Sequence, residues 1–321
     1  MRILQSAWFR IALALLLIAG LVAFNRINVD SFATLGARWP WLVAAFLWML
    51  PTYLLVSYRF MIVLDNQQVR VPFPLALRWT MIGSFFDLVM PSNSGGDVIK
   101  CAYVVRHVGP GWRTRGVMAV AFDRILGLIG LFLLGSIAIT LGWSIVRGLP
   151  GGSHLLLILP LVTLGSLAFF RIAGSRRLYN SVRFESALQR LPGGPLIHGV
   201  VGSFNSLRER PGQFFGVLAL SVINHGFWCA SLFCITHAFG LSVDLLGGLA
   251  VFPLAIFGNV FGFAGGFGVG TAAFDLVFSV LLHSSLGASV GLTFQLLSAL
   301  TRLAGIPFYI HNPRPPADAP A

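Results

Sequence analysis

Six stretches of this sequence run for about twenty residues with almost no charge, the length a helix needs to cross a bilayer. They are Trp8–Phe24, Trp41–Leu64, Gly116–Trp143, His154–Phe170, Gln213–Phe239 and Ser289–Ile310. In hydrocarbon every backbone polar group must be satisfied within the segment, so such stretches fold as helices. Charged residues make up 10% of the chain, well below the roughly 25% of soluble domains. The expected fold class is an all-α, polytopic integral membrane protein. The net charge of +12 raises nucleic acid as a partner, but the arginines sit between apolar stretches. They read as topology signals and contacts to anionic lipid, so no nucleic acid is expected. Cys101, Cys229 and Cys234 show neither metal spacing nor a disulfide framework, and no metal or cofactor is expected. Arg2 and Arg10 precede an apolar run with no A-x-A-like cleavage site, which reads as an uncleaved first helix.

Two further regions are apolar but broken. Pro72–Tyr103 is interrupted at Pro91–Asp97, and Leu245–Leu282 at Phe263-Ala264-Gly265-Gly266-Phe267-Gly268-Val269-Gly270. Irregular backbone survives at membrane depth only where protein buries it or water reaches it, so each loop is expected to line a site or pathway. Charge sets their orientation. Segment Arg171–Arg210 holds seven arginines against Glu185 and Glu209, which makes it cytoplasmic by the positive-inside rule. Its middle, Arg176–Arg190, has the pattern of an amphipathic surface helix. Counting spans from there puts the N-terminus and both flanks of Pro72–Tyr103 on the cytoplasmic side. Leu245–Leu282 then enters and returns from the outer side. Two re-entrant hairpins of opposite orientation are what an inverted repeat produces, with a site near the midplane. No sequence repeat accompanies them. Residues 1–310 form one transmembrane domain, and the Pro-rich 311–321 reads as a disordered tail.

Ionisable residues inside spans cost roughly 2.5–3.5 kcal/mol each on insertion scales, so those retained are candidates for function. Here they are Arg59, Asp87, Asp97, Asp123, Arg124, Asp275 and Arg302. Arginines can hold an anionic head group balanced by aspartates, or each can be an interfacial anchor or structural ion pair. Asp123 and Arg124 are adjacent, so on a helix they face different partners. Asp97 either caps the helix after its loop or joins Ser92, Asn93, Ser94, the Gly95-Gly96 backbone and Lys100 in an anion site. Asn224-His225 reads as a head-group contact or as a hydrogen bond to a neighbouring helix. No Walker loop, H-E-x-x-H or nucleophile elbow is present. The longest stretch outside the spans has about 40 residues, marginal for an independent core.

Taken in order, these features resemble one family. They are Arg59, then Pro91, Gly95-Gly96-Asp97 and Lys100, then Asp123-Arg124 and Gly127, then Gly265-Gly266-Phe267-Gly268, and finally Arg302. The family is the lysylphosphatidylglycerol synthase transmembrane region, the flippase-like integral membrane proteins, and the resemblance spans about Ile11–Ile310. It implies a multi-pass protein of the cytoplasmic (inner) membrane that moves or handles lipids. Its partner would be a phospholipid or lipid-linked glycan, with a lipid-modifying enzyme as a further partner. The positions carried over are Arg59, Pro91, Gly96, Asp97, Lys100, Asp123, Arg124, Gly265, Gly266, Gly268 and Arg302. Two departures stand out. Ala264 replaces the usual proline, and Thr271 falls where an acidic residue is usual, with Asp275 one turn later as a substitute. Lys100 stands where arginine is more usual, which gives up a bidentate grip on phosphate. The aminoacyl-transferring domain of fused relatives has no counterpart here. The function expected is translocation of an anionic or lipid-linked head group through a polar cavity between the hairpins. The alternatives are a membrane transferase on a lipid-linked substrate and a non-transporting partner of a lipid-modifying enzyme.

Overall fold

Long apolar stretches become long helices, and broken ones become helix pairs. A computed structural model describes residues 32, 35–90, 95–149, 151–175, 194–261 and 266–311. Its helices are α1 (Trp39–Asn66), α2 (Phe73–Val89), α3 (Gly95–His107), α4 (Arg113–Leu141), α5 (Trp143–Gly148), α6 (Gly152–Ala173), α7 (Gly194–Glu209), α8 (Pro211–Ala238), α9 (Leu245–Asn259), α10 (Val269–Leu281), α11 (Gly287–Leu303) and α12 (Gly305–Ile310). Five apolar units among the described residues are long enough to cross a membrane: α1, α4 with its leading turn, α6, α8, and α11 with α12. They match five of the six expected spans with ends shifted by a few residues. The sixth, Trp8–Phe24, lies outside the described residues, as do Arg176–Arg190 and the tail 312–321. Leu157, Leu161, Leu164 and Ile172 on α6 are exposed while Thr52, Ser57 and Arg59 on α1 are buried. That inverted distribution is stable only in lipid. The chain is an all-α polytopic membrane protein.

Contacts at the helix ends sort the bundle into two levels. Asn66 and Gln67, at the end of α1, bond Ser203, Ser206 and Gln213, and Arg210 meets Asp65 at 3.3 Å. Arg115 bonds Gln68, so α4 and α8 begin where α1 ends. At the other end Arg38, before α1, donates to the His237 carbonyl at 3.2 Å. There Gly142 lies against Leu246 and Gly151 against Leu281. Helices α2 and α3 therefore enter and leave at the arginine-rich level, and α9 and α10 at the opposite one. At 1.5 Å per residue, helices of 13 to 17 residues reach roughly 20–25 Å, short of a hydrocarbon core about 30 Å thick.

Glycine closes the first hairpin. A Cβ on Gly96 would stand 2.1 Å from the Gly83 carbonyl oxygen, and one on Gly83 would stand 2.9 Å from Lys100 Cγ. Small residues of this kind let helix backbones approach within membranes. In the second hairpin Gly266 (φ 109°) and Gly268 (φ 78°) hold backbone that other residues avoid.

One element departs from expectation. Residues Gly194–Glu209 of the presumed basic loop are helix α7, with Phe204 and Leu207 buried. Phe204 packs against Phe122, 4.7 Å between ring centroids, and Phe170, 5.1 Å. Its apolar positions are spaced for one helical face, but arginines at both ends of the segment drew the reading toward a loop.

Candidate functional site

Two apolar clusters divide the bundle by height. One holds Phe60 and Leu64 of α1, Ala119 and Phe122 of α4, and Val217 and Leu218 of α8. The other holds Ala45 and Met49 of α1, Leu134 of α4, and Cys229 to Phe239 along and just past α8. Between them the same three helices turn polar and open onto a cavity of about 210 Å³. Thr52, Tyr53 and Arg59 line it from α1, Asp123, Arg124 and Gly127 from α4, and Asn224, His225 and Trp228 from α8. The first hairpin adds Thr80, Gly83, Ser84 and Asp87 from α2 and Asp97 and Lys100 from α3. Arg302 comes from α11, and Ile256 and Val260 from α9 and the turn after it.

A buried ion cluster forms the cavity's wall. Arg59 Nε donates to Asp123 Oδ1 at 2.8 Å, and Lys100 Nζ to Asp123 Oδ2 at 3.2 Å. Arg59 Nη1 also donates to Ser221 Oγ at 3.1 Å, and Lys100 sits 4.4 Å from the Phe60 ring centroid, a cation–π distance. All three charged side chains are nearly inaccessible. One carboxylate thus holds two cations from two other helices. Gly127 makes room for this: a Cβ there would meet Arg59 Nη1 at 3.0 Å. A second pair, Arg124 Nε to Asp97 Oδ2 at 3.7 Å, is looser and partly exposed. Asp87 Oδ1 accepts from the Gly96 amide at 2.7 Å, capping α3 from the neighbouring helix. Tyr53 OH and Thr301 Oγ1 share a hydrogen bond of 2.7 Å beside Arg302.

On α8, His225 Nε2 lies 3.0 Å from the Gly127 carbonyl oxygen. A carbonyl only accepts, so Nε2 carries the hydrogen and a neutral ring leaves Nδ1 as an acceptor. Among the described residues, the buried atoms His225 Nδ1, Asn224 Oδ1 and Thr80 Oγ1 have no hydrogen-bond partner. These side chains offer hydrogen-bonding capacity at the same cavity that Arg59, Lys100, Arg124 and Arg302 line.

The structure brings together Arg59, Asp97, Lys100, Asp123, Arg124 and Arg302, with Gly96 at the hairpin crossing. It leaves out Gly266, Gly268 and Asp275. Asn93 and Gly265 lie outside the described residues, as do Pro91, Ser92, Ser94 and Ala264. The second hairpin centres on a separate polar knot. Thr271 Oγ1 donates to Gln295 Oε1 at 2.7 Å, and Gln295 Nε2 donates to Asn259 Oδ1 at 2.8 Å and to the Gly266 carbonyl at 3.0 Å. Asp275 is buried one turn along α10, where Gly287 of α11 closes over its backbone. Of the two hairpins, the first therefore brings charged and polar groups to the cavity, and the second contributes only the apolar Ile256 and Val260. Sequence reasoning passed over Tyr53, Ser221, Asn259 and Gln295. A polar group inside an apolar helix was the available signal, the same one that marked Asn224.

No curated protein and no solved structure matches the chain. A family model described as Lysylphosphatidylglycerol synthase TM region matches residues 8–305. Those residues take in both hairpins and every group lining the cavity, and the chain belongs to this family of membrane proteins.

Proposed function

We propose that this protein translocates lipids with an anionic head group, phospholipid or lipid-linked glycan, across the cytoplasmic membrane. The head group would pass through the mid-height cavity while the acyl chains stay in lipid. The observation that carries this reading is the charge of the cavity. Four cations, Arg59, Lys100, Arg124 and Arg302, line it with three carboxylates, Asp87, Asp97 and Asp123. Desolvated charges of this number are retained in spans at substantial cost and mark substrate paths. Arg59 and Lys100 are committed to Asp123, so they set the positive field of the wall. Arg124 is about one third exposed and is placed to exchange its loose contact with Asp97 for a phosphate oxygen, with Arg302 facing the same space. Head-group hydroxyls or ammonium protons would satisfy Asn224 and His225.

The test is lipid scrambling in liposomes by purified protein, with fluorescent lipids of differing head groups. Anionic lipids should move faster than phosphatidylcholine. Arg124→Ala and Arg302→Ala should each slow them about tenfold or more, since a hydrogen bond to a charged group is worth about 1.5–3 kcal/mol. Unchanged scrambling by folded variants would refute the reading.

A further inference from the structure

A second concavity, unconnected with the ion cluster, opens between the end of α6, the end of α7 and the start of α8. Its volume is about 250 Å³. The walls are Leu167, Phe170, Phe204, Leu207, Phe214 and Phe215, and Arg171, Arg208 and Pro211 complete them. The aromatic floor is rigid: Phe170 lies 5.1 Å from Phe204 and 6.1 Å from Phe214 between ring centroids. Phe215, 65% exposed, stands open to the surroundings. Arg171 occupies the last turn of a candidate span and Pro211 the first position of another, so the cleft sits where hydrocarbon gives way to head groups. Arg208 is tethered there, its Nη1 donating to the Gly174 carbonyl at 3.3 Å. The described lining has two guanidinium groups and no carboxylate.

We infer that this cleft binds one anionic phospholipid as a fixed neighbour of the bundle, apart from any lipid in the mid-height cavity. A segment of acyl chain lies on the phenylalanine floor, and the phosphate bridges Arg171 and Arg208. Planar guanidinium groups bind phosphate oxygens in pairs, and two cations at this depth favour an anionic over a zwitterionic head group. Apolar walls below and cations above match the two halves of such a lipid and no purely apolar occupant. The cleft is also the joint at which α7 clamps α6 to α8, so its occupant touches three helices at once.

The experiment uses the full chain in phosphatidylcholine vesicles doped with phosphatidylglycerol carrying a diazirine in its acyl chain, followed by illumination and peptide mapping. Adducts should fall on residues 167–171 and 204–215. They should be displaced by unlabelled phosphatidylglycerol. Labelling at these residues should drop roughly tenfold or more in the Arg171→Gln, Arg208→Gln double variant, as expected for two cations beside an anionic group. The Leu167→Trp variant keeps both arginines and fills the cleft, and its labelling should drop as well. Equal labelling by a phosphatidylcholine probe of the same acyl chain would overturn the inference. So would undiminished labelling in either variant, or no adducts at these residues. Mapping separates this result from scrambling, because the two cavities share no lining residue and labels in the mid-height cavity fall on α8 only from Asn224 onward.

Discussion

Asp123 is the residue on which the most depends. Each of its oxygens answers a different cation, and all three side chains are nearly inaccessible. Asp123→Asn should destabilise the protein by about 3–5 kcal/mol, the usual result of stranding a buried charge, read as a fall in detergent-resistant folding or thermal midpoint. Asp97→Asn should cost under about 1 kcal/mol, because its pair with Arg124 is long and partly exposed. If both variants lose the same stability, the division of the cluster into a locked pair and a loose one is wrong. Gly96 makes a different demand. A methyl group there meets backbone rather than a movable side chain, so Gly96→Ala should open the first hairpin and abolish transport. Gly127→Ala meets only the tip of Arg59 and should be milder in the same two assays.

At the scale of elements, the two hairpins have opposite directions and different chemistry. The first carries charge into the cavity; the second ties its polar groups to Gln295 of α11. Gln295→Leu removes the centre of that second knot and leaves Thr271 without its acceptor and Asn259 Oδ1 without this donor. A loss of about 1–3 kcal/mol follows from unsatisfied buried groups, and cation-dependent lipid selectivity should be unchanged, because no member of the knot lines the cavity. Altered head-group ranking in this variant would show that the knot takes part in recognition. The hairpins themselves were legible in the sequence, because a span of about twenty apolar residues and a span broken by Gly and Asp differ in a way that hydrophobic length alone detects. Arg59 and Asp123 were legible as expensive ionisable groups, and Lys100 as part of an anion site after the loop. Their mutual pairing was not: Arg59 and Asp123 lie 64 positions apart, and only the packing of α1 on α4 brings them within reach. Asp275 lies apart from the cavity for the complementary reason, since a charge inside a span signals burial but not which neighbours bury it. Helix α7 was hidden by flanking arginines that outweighed its short apolar face.

The whole molecule is polarised along the bundle. Arg70, Arg106, Arg113, Arg115, Arg171, Arg208 and Arg210 lie toward the level where α1 ends, against Arg38 and Arg147 at the other. By the positive-inside rule, the arginine-rich level is proposed to face the cytoplasm. In a cysteine-free background, single cysteines at Arg113 and His283 should react with an impermeant maleimide from opposite sides of the membrane, Arg113 only from within. Reaction of both from one side would contradict the arrangement of the hairpins. The double pairing at Asp123 has a last consequence for the molecule as a barrier. It ties α1, α3 and α4 across the middle of the bundle, so parting these helices without an incoming anion separates buried charges at a cost of several kcal/mol. On the proposed function, a phosphate that shared Arg59 or Lys100 with Asp123 would lower that cost as it arrived. On that reading the unloaded protein would be sealed by the same contacts that its cargo loosens, and leakage through an idle copy would be suppressed without a dedicated plug.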